Sequence, residues 1–234
     1  MRIAVCLTGV PRFHEIGHDF MKHFYKGCQV DYYIHGWGTP HAKEALIKEF
    51  SPVEIVIDPF ETFDEFLREV SFTNNSPNAS NAISWLKSVY LVGKLLERSS
   101  KEYDLVIFTR TDIIAKGRNF LQILPELNLT AITSSFNHGS QWNIDSSNIQ
   151  ETGICGTLFL CSTKENMIYF SKLFEKVKEY ISDNKIPLCH HRLIYTHMKE
   201  LFKQYGHSQL WISDSSPNGG WFIVRDTNGT LQGI

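Results

Sequence analysis

The 234-residue chain has no run of about 18 apolar residues, so no membrane-spanning helix is expected. It has no block of basic residues either. Its 23 lysines and arginines stand against 25 acidic residues for a formal charge of -2, which argues against nucleic acid as a main partner. Cysteines are few and odd in number, and none forms a CxxC pair. Cys6, Cys28, Cys155, Cys161 and Cys189 therefore read as buried free thiols in a reducing compartment, neither a disulfide framework nor a zinc site. The apolar run after Arg2 stops at Thr8-Gly9, too short for the apolar region of a signal peptide. These absences together lead to the expectation of a cytoplasmic protein, in which sequons such as Asn128-Leu129-Thr130 are chance matches. There is no internal repeat, no Walker loop and no GxGxxG.

What the chain does have is aromatic bulk: 16 Phe, 9 Tyr and 5 Trp. Such residues fill cores, and where exposed they stack on sugars and bases. The length is enough for one domain, 1–234, to bury a sizeable core. Strand candidates are Arg2 to Leu7, Val30 to His35, Val53 to Ile57, Leu105 to Phe108, Leu129 to Ser134 and Ile154 to Cys161, then Trp211-Ile212 and Phe222 to Arg225. Several are unbroken apolar runs, as in strands covered on both faces. Helical spacing appears between them: His14 to Tyr25, His41 to Phe50, Phe63 to Val70, Ile83 to Leu96, Met167 to Ile181, and a last helix with Ile194, Met198, Leu201 and Tyr205 inward. The alternation predicts an α/β fold, Rossmann-like, with a mostly parallel central sheet flanked by helices.

Local signals refine this. Ser162 and Glu165 have the spacing of a capping box. Pro125 should end the short helix or turn from Phe120. Gly93 inside a helix costs about 1 kcal/mol against alanine, so close packing or a ligand should compensate. Lys94 beside it is a candidate phosphate contact, against a plain solvated charge. Two stretches lack periodicity, Ser71 to Asn81 and Phe136 to Thr152, and read as long loops of a kind often used for binding.

Two sites carry chemistry. Thr8-Gly9-Val10-Pro11-Arg12 is a strand, a tight glycine turn and the approach to a helix, an arrangement that handles phosphate. Arg12 adds a guanidinium suited to a diphosphate. The second is Thr109-Arg110-Thr111-Asp112, where polarity arrives abruptly at a strand's carboxyl end, the place where open α/β sheets bind ligands. Side chains two apart on a strand share a face, so Arg110 and Asp112 can address one ligand or each other. Trp37, between Gly36 and Gly38, either stacks on a ligand or packs its loop down, and packing is favoured.

The order IAVCLTGVPRF, DYYIHGWG, a helix and YDLVIFTRTDI resembles that of a family of small viral and bacterial glycosyltransferase-like proteins with the GT-A fold. That family opens with an LTGxxR-type strand and turn. An apolar strand of pattern D-h-h-h-H-x-W follows, then a helix, then a Y-D-h-h-h-x-x-R-x-D strand. The resemblance runs from Met1 to about Met198 and includes ICGTLFLCS with its helix. It implies a nucleotide-sugar site at the carboxyl ends of the strands, with Thr8, Gly9 and Arg12 facing the nucleotide. Asp112 falls where the last Asp of a DxD motif would hold Mg²⁺ or Mn²⁺ on the diphosphate. The implied partners are a nucleoside-diphosphate sugar and a sugar or glycan acceptor.

The chain departs from the family in two places. Arg110 stands where DxD has its first Asp, so metal binding is weakened or Arg110 takes a share of the phosphate. His190-His191 replaces a frequent Pro-Glu and could contact a metal or the acceptor, against a plain surface pair. An inverting transferase needs a carboxylate base, for which Asp145 and Glu151 are the candidates. Three readings follow: a metal-assisted glycosyltransferase, a sugar-phosphate nucleotidyltransferase, or a non-catalytic nucleotide- or sugar-binding module. The single Gly9 counts against the second, which normally shows GG-x-G-T-R; Arg110 is the best support for the third.

Overall fold

A computed structural model describes residues 1–70, 79–115, 119–127, 129–136, 159–182, 186, 188, 190–211, 221–224 and 231–233. The strands are β1 (Arg2–Gly9), β2 (Gln29–Trp37), β3 (Glu54–Asp58), β4 (Leu105–Arg110), β5 (Ile113–Ala115), β6 (Ile132–Phe136), β7 (Leu160–Ser162), β8 (His207–Trp211), β9 (Trp221–Val224) and β10 (Leu231–Gly233). The helices are α1 (His14–Phe24), α2 (Pro40–Phe50), α3 (Asp64–Glu69), α4 (Ala79–Arg98), α5 (Phe120–Ile123), α6 (Lys164–Ser171), α7 (Leu173–Ser182) and α8 (His190–Tyr205).

Seven strands form one sheet in the order β3-β2-β1-β4-β7-β6-β8. Six run the same way; β7 alone is antiparallel to both its neighbours. A small antiparallel sheet, β10-β9-β5, leaves the carboxyl end of β4. The fold is therefore mixed α/β with a mostly parallel central sheet, as the alternation of runs predicts.

The unbroken apolar runs have a direct cause. Ala4, Cys6, Val106 and Phe108 enter one core, whereas Ile3, Val5, Leu7, Leu105 and Ile107 enter another on the opposite face. Helices α4, α6 and α8 close the first with Leu86, Phe170 and Ile194; α1, α2 and α5 close the second with Met21, Leu46 and Phe120. Each such side chain contributes about 1.5–3 kcal/mol when fully buried. Gly93 is where α4 meets α6: a Cβ there would stand 2.1 Å from Ser171 Oγ, so the missing side chain is what lets the helices approach.

Several local expectations change. The helix after β7 is capped by Thr163, whose hydroxyl accepts from Asn166 N–H, because Ser162 is still in the strand and donates its own hydroxyl to the Ala131 carbonyl at 3.1 Å. The expected Met167 to Ile181 helix is two helices: Lys172 N–H bonds back to Tyr169, three residues away, and tightens the chain there. The expectation at Pro125 holds: the α-helical hydrogen bonding of α5 stops at Ile123, and the proline sits early in a 3₁₀ turn, Leu124–Glu126, where its lacking N–H is harmless. Tyr205 is exposed at the end of α8, and the polar stretch from Ser71 is shorter than expected because α4 already begins at Ala79. Cys6 and Cys161 are buried free thiols and Cys28 is half-buried; Cys155 and Cys189 lie outside the described residues. Among the described residues no helix is long and apolar enough to cross a membrane.

Candidate functional site

The parallel ladder lines up the carboxyl ends of four strands. Thr8 stands opposite His35 on one side and Arg110 on the other, and Trp37 stands opposite Asp58. At the end of β1 the chain turns through Gly9, whose φ of +95° lies in the left-handed region that favours glycine. The turn then lies back on β2. A Cβ at Gly36 would be 2.7 Å from the Gly9 carbonyl oxygen, and one at Gly38 would touch Pro11 at 3.8 Å. Gly36 of the GWG triplet thus makes room for the β1 turn, whereas a Cβ at Gly38 would meet only ordinary contacts. Trp37 between them is buried, donates Nε1–H to the Ser84 carbonyl at 3.2 Å and packs edge-on against His35 and Phe63. It packs the loop.

The turn is also tied from below. Ser88 Oγ, fully buried on α4, accepts the Gly9 N–H at 3.0 Å and lies 2.9 Å from His35 Nδ1. His35 Nε2 lies 3.1 Å from Asp58 Oδ2. Burial pushes the His35 pKa down, with the hydrogen bond to Asp58 pulling the other way. With Nε2–H donating to Asp58, Nδ1 is an acceptor facing the Ser88 hydroxyl, whose one proton is shared between Nδ1 and the His35 backbone carbonyl 3.0 Å away. The series Asp58-His35-Ser88 has the residue types of a hydrolytic triad, but a serine sealed in the core cannot reach a substrate.

Thr8 spends its side chain on the neighbouring strand, donating to the Thr109 carbonyl at 3.2 Å. Arg12 is exposed, and its guanidinium has no partner among the described residues.

β4 ends at Arg110, and Thr111-Asp112 form a turn into β5. The two charged side chains grip each other as a fork: Arg110 Nε donates to Asp112 Oδ1 and Nη2 to Oδ2, both at 2.7 Å. The Asp112 side chain is 3% exposed and that of Arg110 33%. Helix α1 presses on this turn, since a Cβ at Gly17 would stand 1.8 Å from the Thr111 carbonyl oxygen. Thr111 Oγ1 is buried with no partner among the described residues.

The metal role expected of Asp112 does not fit this geometry. Both its oxygens are engaged by the guanidinium, and among the described residues no second carboxylate joins it in a ligand cluster. Among the described residues the cluster that could ligate a cation is His14, Glu15 and Glu49, with His14 Nδ1 2.7 Å from Glu49 Oε2, and Asp112 is not part of it. That cluster joins the first turn of α1, where the helix dipole disfavours a cation, to Glu49 in the last turn of α2, where it favours one.

Of the other expected site residues, Lys94 stands apart. It pairs with Glu97 at 3.0 Å on the exposed face of α4, six residues or about 9 Å beyond Ser88 along the helix. Asp145 and Glu151 lie outside the described residues, as does the His191 side chain. The His190 ring lies 5.7 Å from that of Trp85. Sequence reasoning missed Ser88, Asp58 and Gly17. Ser88 had one signal, a small polar residue on the otherwise apolar face of α4.

No protein-family model matches the chain, and no curated protein sequence does. A comparison of structures matches it to a galactosyltransferase, LgtC, solved in complex with donor and acceptor sugar analogs. The TM-score is 0.51 at 13% sequence identity, over 89% of this chain and 73% of that one. The likeness is one of fold alone: the architecture is the GT-A fold that this neighbour shares.

Proposed function

We propose that the protein is a glycosyltransferase that moves a sugar from a nucleoside-diphosphate donor to a sugar or glycan acceptor. The observation that carries this reading is that the Gly9 turn, Arg12 (without a partner among the described residues) and the exposed side of Arg110 all stand at or just beyond the carboxyl ends of the neighbouring strands β1 and β4. All three suit a diphosphate. The fold, shared with a galactosyltransferase, supports it. In this reading Gly9 and Arg12 hold the nucleotide's phosphates, Arg110 meets them from the next strand, and Asp145 or Glu151 is the base if transfer inverts. No step is assigned to Mn²⁺ or Mg²⁺ at Asp112, because its carboxylate is already engaged. A reducing, cytoplasmic setting belongs to the same reading, supported by the free thiols Cys6, Cys28 and Cys161.

The test is incubation with UDP-, GDP- and dTDP-linked sugars and a panel of glycan acceptors, following nucleotide release and glycoside mass. A new glycoside with stoichiometric nucleoside diphosphate is the expected result. Binding of a nucleotide sugar without turnover would instead favour the non-catalytic module, the reading that the closed Arg110–Asp112 pair also suits. No binding of any of them contradicts both.

A further inference from the structure

We propose that transfer at this site needs no divalent cation, and that the Arg110 guanidinium, held by Asp112, supplies the fixed positive charge the departing diphosphate meets. The inference rests on the glycosyltransferase reading above.

The geometry argues it in three steps. The pair hides its anion and shows its cation: Asp112 is 3% exposed and Arg110 33%. A metal ion would have to reach a carboxylate that is 3% exposed and already forked to a guanidinium, each oxygen 2.7 Å from a nitrogen, and then sit beside that positive charge. A guanidinium also has more N–H donors than one carboxylate uses. Nε and Nη2 face Asp112, and among the described residues Nη1 has no partner. Finally, Arg110 is the ladder partner of Thr8, so it stands one strand spacing, about 4.8 Å, from the turn that begins at Gly9. A diphosphate seated on that turn lies within reach of Nη1.

The bond changes balance without a metal. The bond between the anomeric carbon and the β-phosphate oxygen breaks, and its electron pair stays on that oxygen. The acceptor oxygen forms the new bond to the anomeric carbon. The acceptor's proton passes to a carboxylate base, or to the departing phosphate oxygen in a retaining reaction. The diphosphate gains negative charge as it leaves, and a preorganised N–H donor aimed there binds more strongly as that charge develops. Arg110 is then a catalytic residue. Asp112 is a positioning residue that holds the fork and keeps it aimed.

The experiment takes the best-bound donor among UDP-, GDP- and dTDP-linked sugars and measures its affinity and transfer in excess EDTA and with added Mn²⁺. The expected result is the same affinity and rate in both. Arg110→Met alone strands a buried carboxylate and could unfold the domain, so the paired variant Arg110→Met/Asp112→Asn is used as well. It should weaken the nucleoside diphosphate by about tenfold or more, the loss of a charge-assisted contact, and leave the parent nucleoside's affinity unchanged. Transfer or donor binding that EDTA abolishes and Mn²⁺ restores overturns the inference and leaves the glycosyltransferase reading standing. Unchanged diphosphate affinity in the paired variant overturns the role of Arg110. If no nucleotide sugar binds under either condition, the glycosyltransferase reading fails and this inference falls with it.

Discussion

Gly17 and Thr111 meet backbone to backbone. A side-chain carbon at Gly17 would lie 1.8 Å from the Thr111 carbonyl oxygen, so α1 can rest on the turn that carries Asp112 only because residue 17 has none. The helix that leaves the Gly9 turn thus braces the Arg110–Asp112 turn, and the two halves of the site share one support.

Gly17→Ala should therefore destabilise the fold by about 1–3 kcal/mol, the usual range for overpacking, and weaken donor binding by shifting the turn. Gly38→Ala is the control. Its Cβ would meet Ala42 and Ile57 at 3.5 Å, an ordinary contact, and should change stability by no more than about 0.5 kcal/mol. Urea unfolding of the two variants checks the contrast; equal stability would show that α1 can slide without strain.

Ser88→Ala removes the acceptor of the Gly9 N–H and leaves a partly buried donor unpaired. The expected loss is about 1–3 kcal/mol. Hydrogen exchange at the Gly9 amide should speed up beyond what the global loss explains. An amide as well protected as before would mean the turn holds itself without α4.

Acid should destabilise the protein earlier than a carboxylate-only account predicts. Burial lowers the pKa of His18, His35 and His197 from the ordinary 6.5. Around His35 the facing charges are Asp58, which opposes the shift, and Lys87, which adds to it. A depressed histidine pKa means that the unfolded chain takes up protons the folded chain refuses. Stability is then full above pH 6.5 and falls as the pH drops below it, towards the folded-state values. Denaturant unfolding across pH 5 to 8 measures this, and a flat profile down to the carboxylate range would contradict it.

Arg12→Ala should separate binding from folding. Its guanidinium has no partner among the described residues, so stability should stay within about 0.5 kcal/mol while donor affinity falls. Lys94→Ala should leave donor affinity unchanged, because Lys94 is tied to Glu97 on the exposed face of α4, beyond Ser88 and away from the Gly9 turn. A melting temperature that collapses in Arg12→Ala would assign that residue to the fold instead.

Much of the fold was legible because its signals are local. Apolar runs such as Leu105 to Phe108 announce strands covered on both faces, and the helical stripes at Phe24, Leu86 and Ile194 do become core, although Ile16 and Phe20 on the first are only half-buried. What misled was competition at boundaries. Ser162 reads as a cap by spacing, yet the strand keeps it and Thr163 does the work. The site was half legible. Gly9 and the Arg110–Asp112 proximity follow from sequence, although the two charges meet across a turn and not along a strand. Ser88, Asp58 and Gly17 were hidden because their roles arise between elements 23 to 94 residues apart in the chain, through a tether from Gly9 to Ser88, a contact from His35 to Asp58 and a close approach of Gly17 to Thr111. No local pattern encodes such pairings. Lys94 was drawn in by its neighbour Gly93, whose real reason is Ser171.

On the proposed reading, the carboxyl ends of β1 and β4 around Gly9, Arg12 and Arg110 bind a nucleoside-diphosphate sugar. The most direct measurement is thermal unfolding with UDP-, GDP- and dTDP-linked sugars, each in EDTA and in Mn²⁺. A donor at about 100 times its dissociation constant adds roughly 2.7 kcal/mol to the folded state. The account predicts a raised melting temperature with one nucleotide family, equal with and without metal, and lost in Arg12→Ala. An unchanged melting temperature with every donor in both conditions would contradict it.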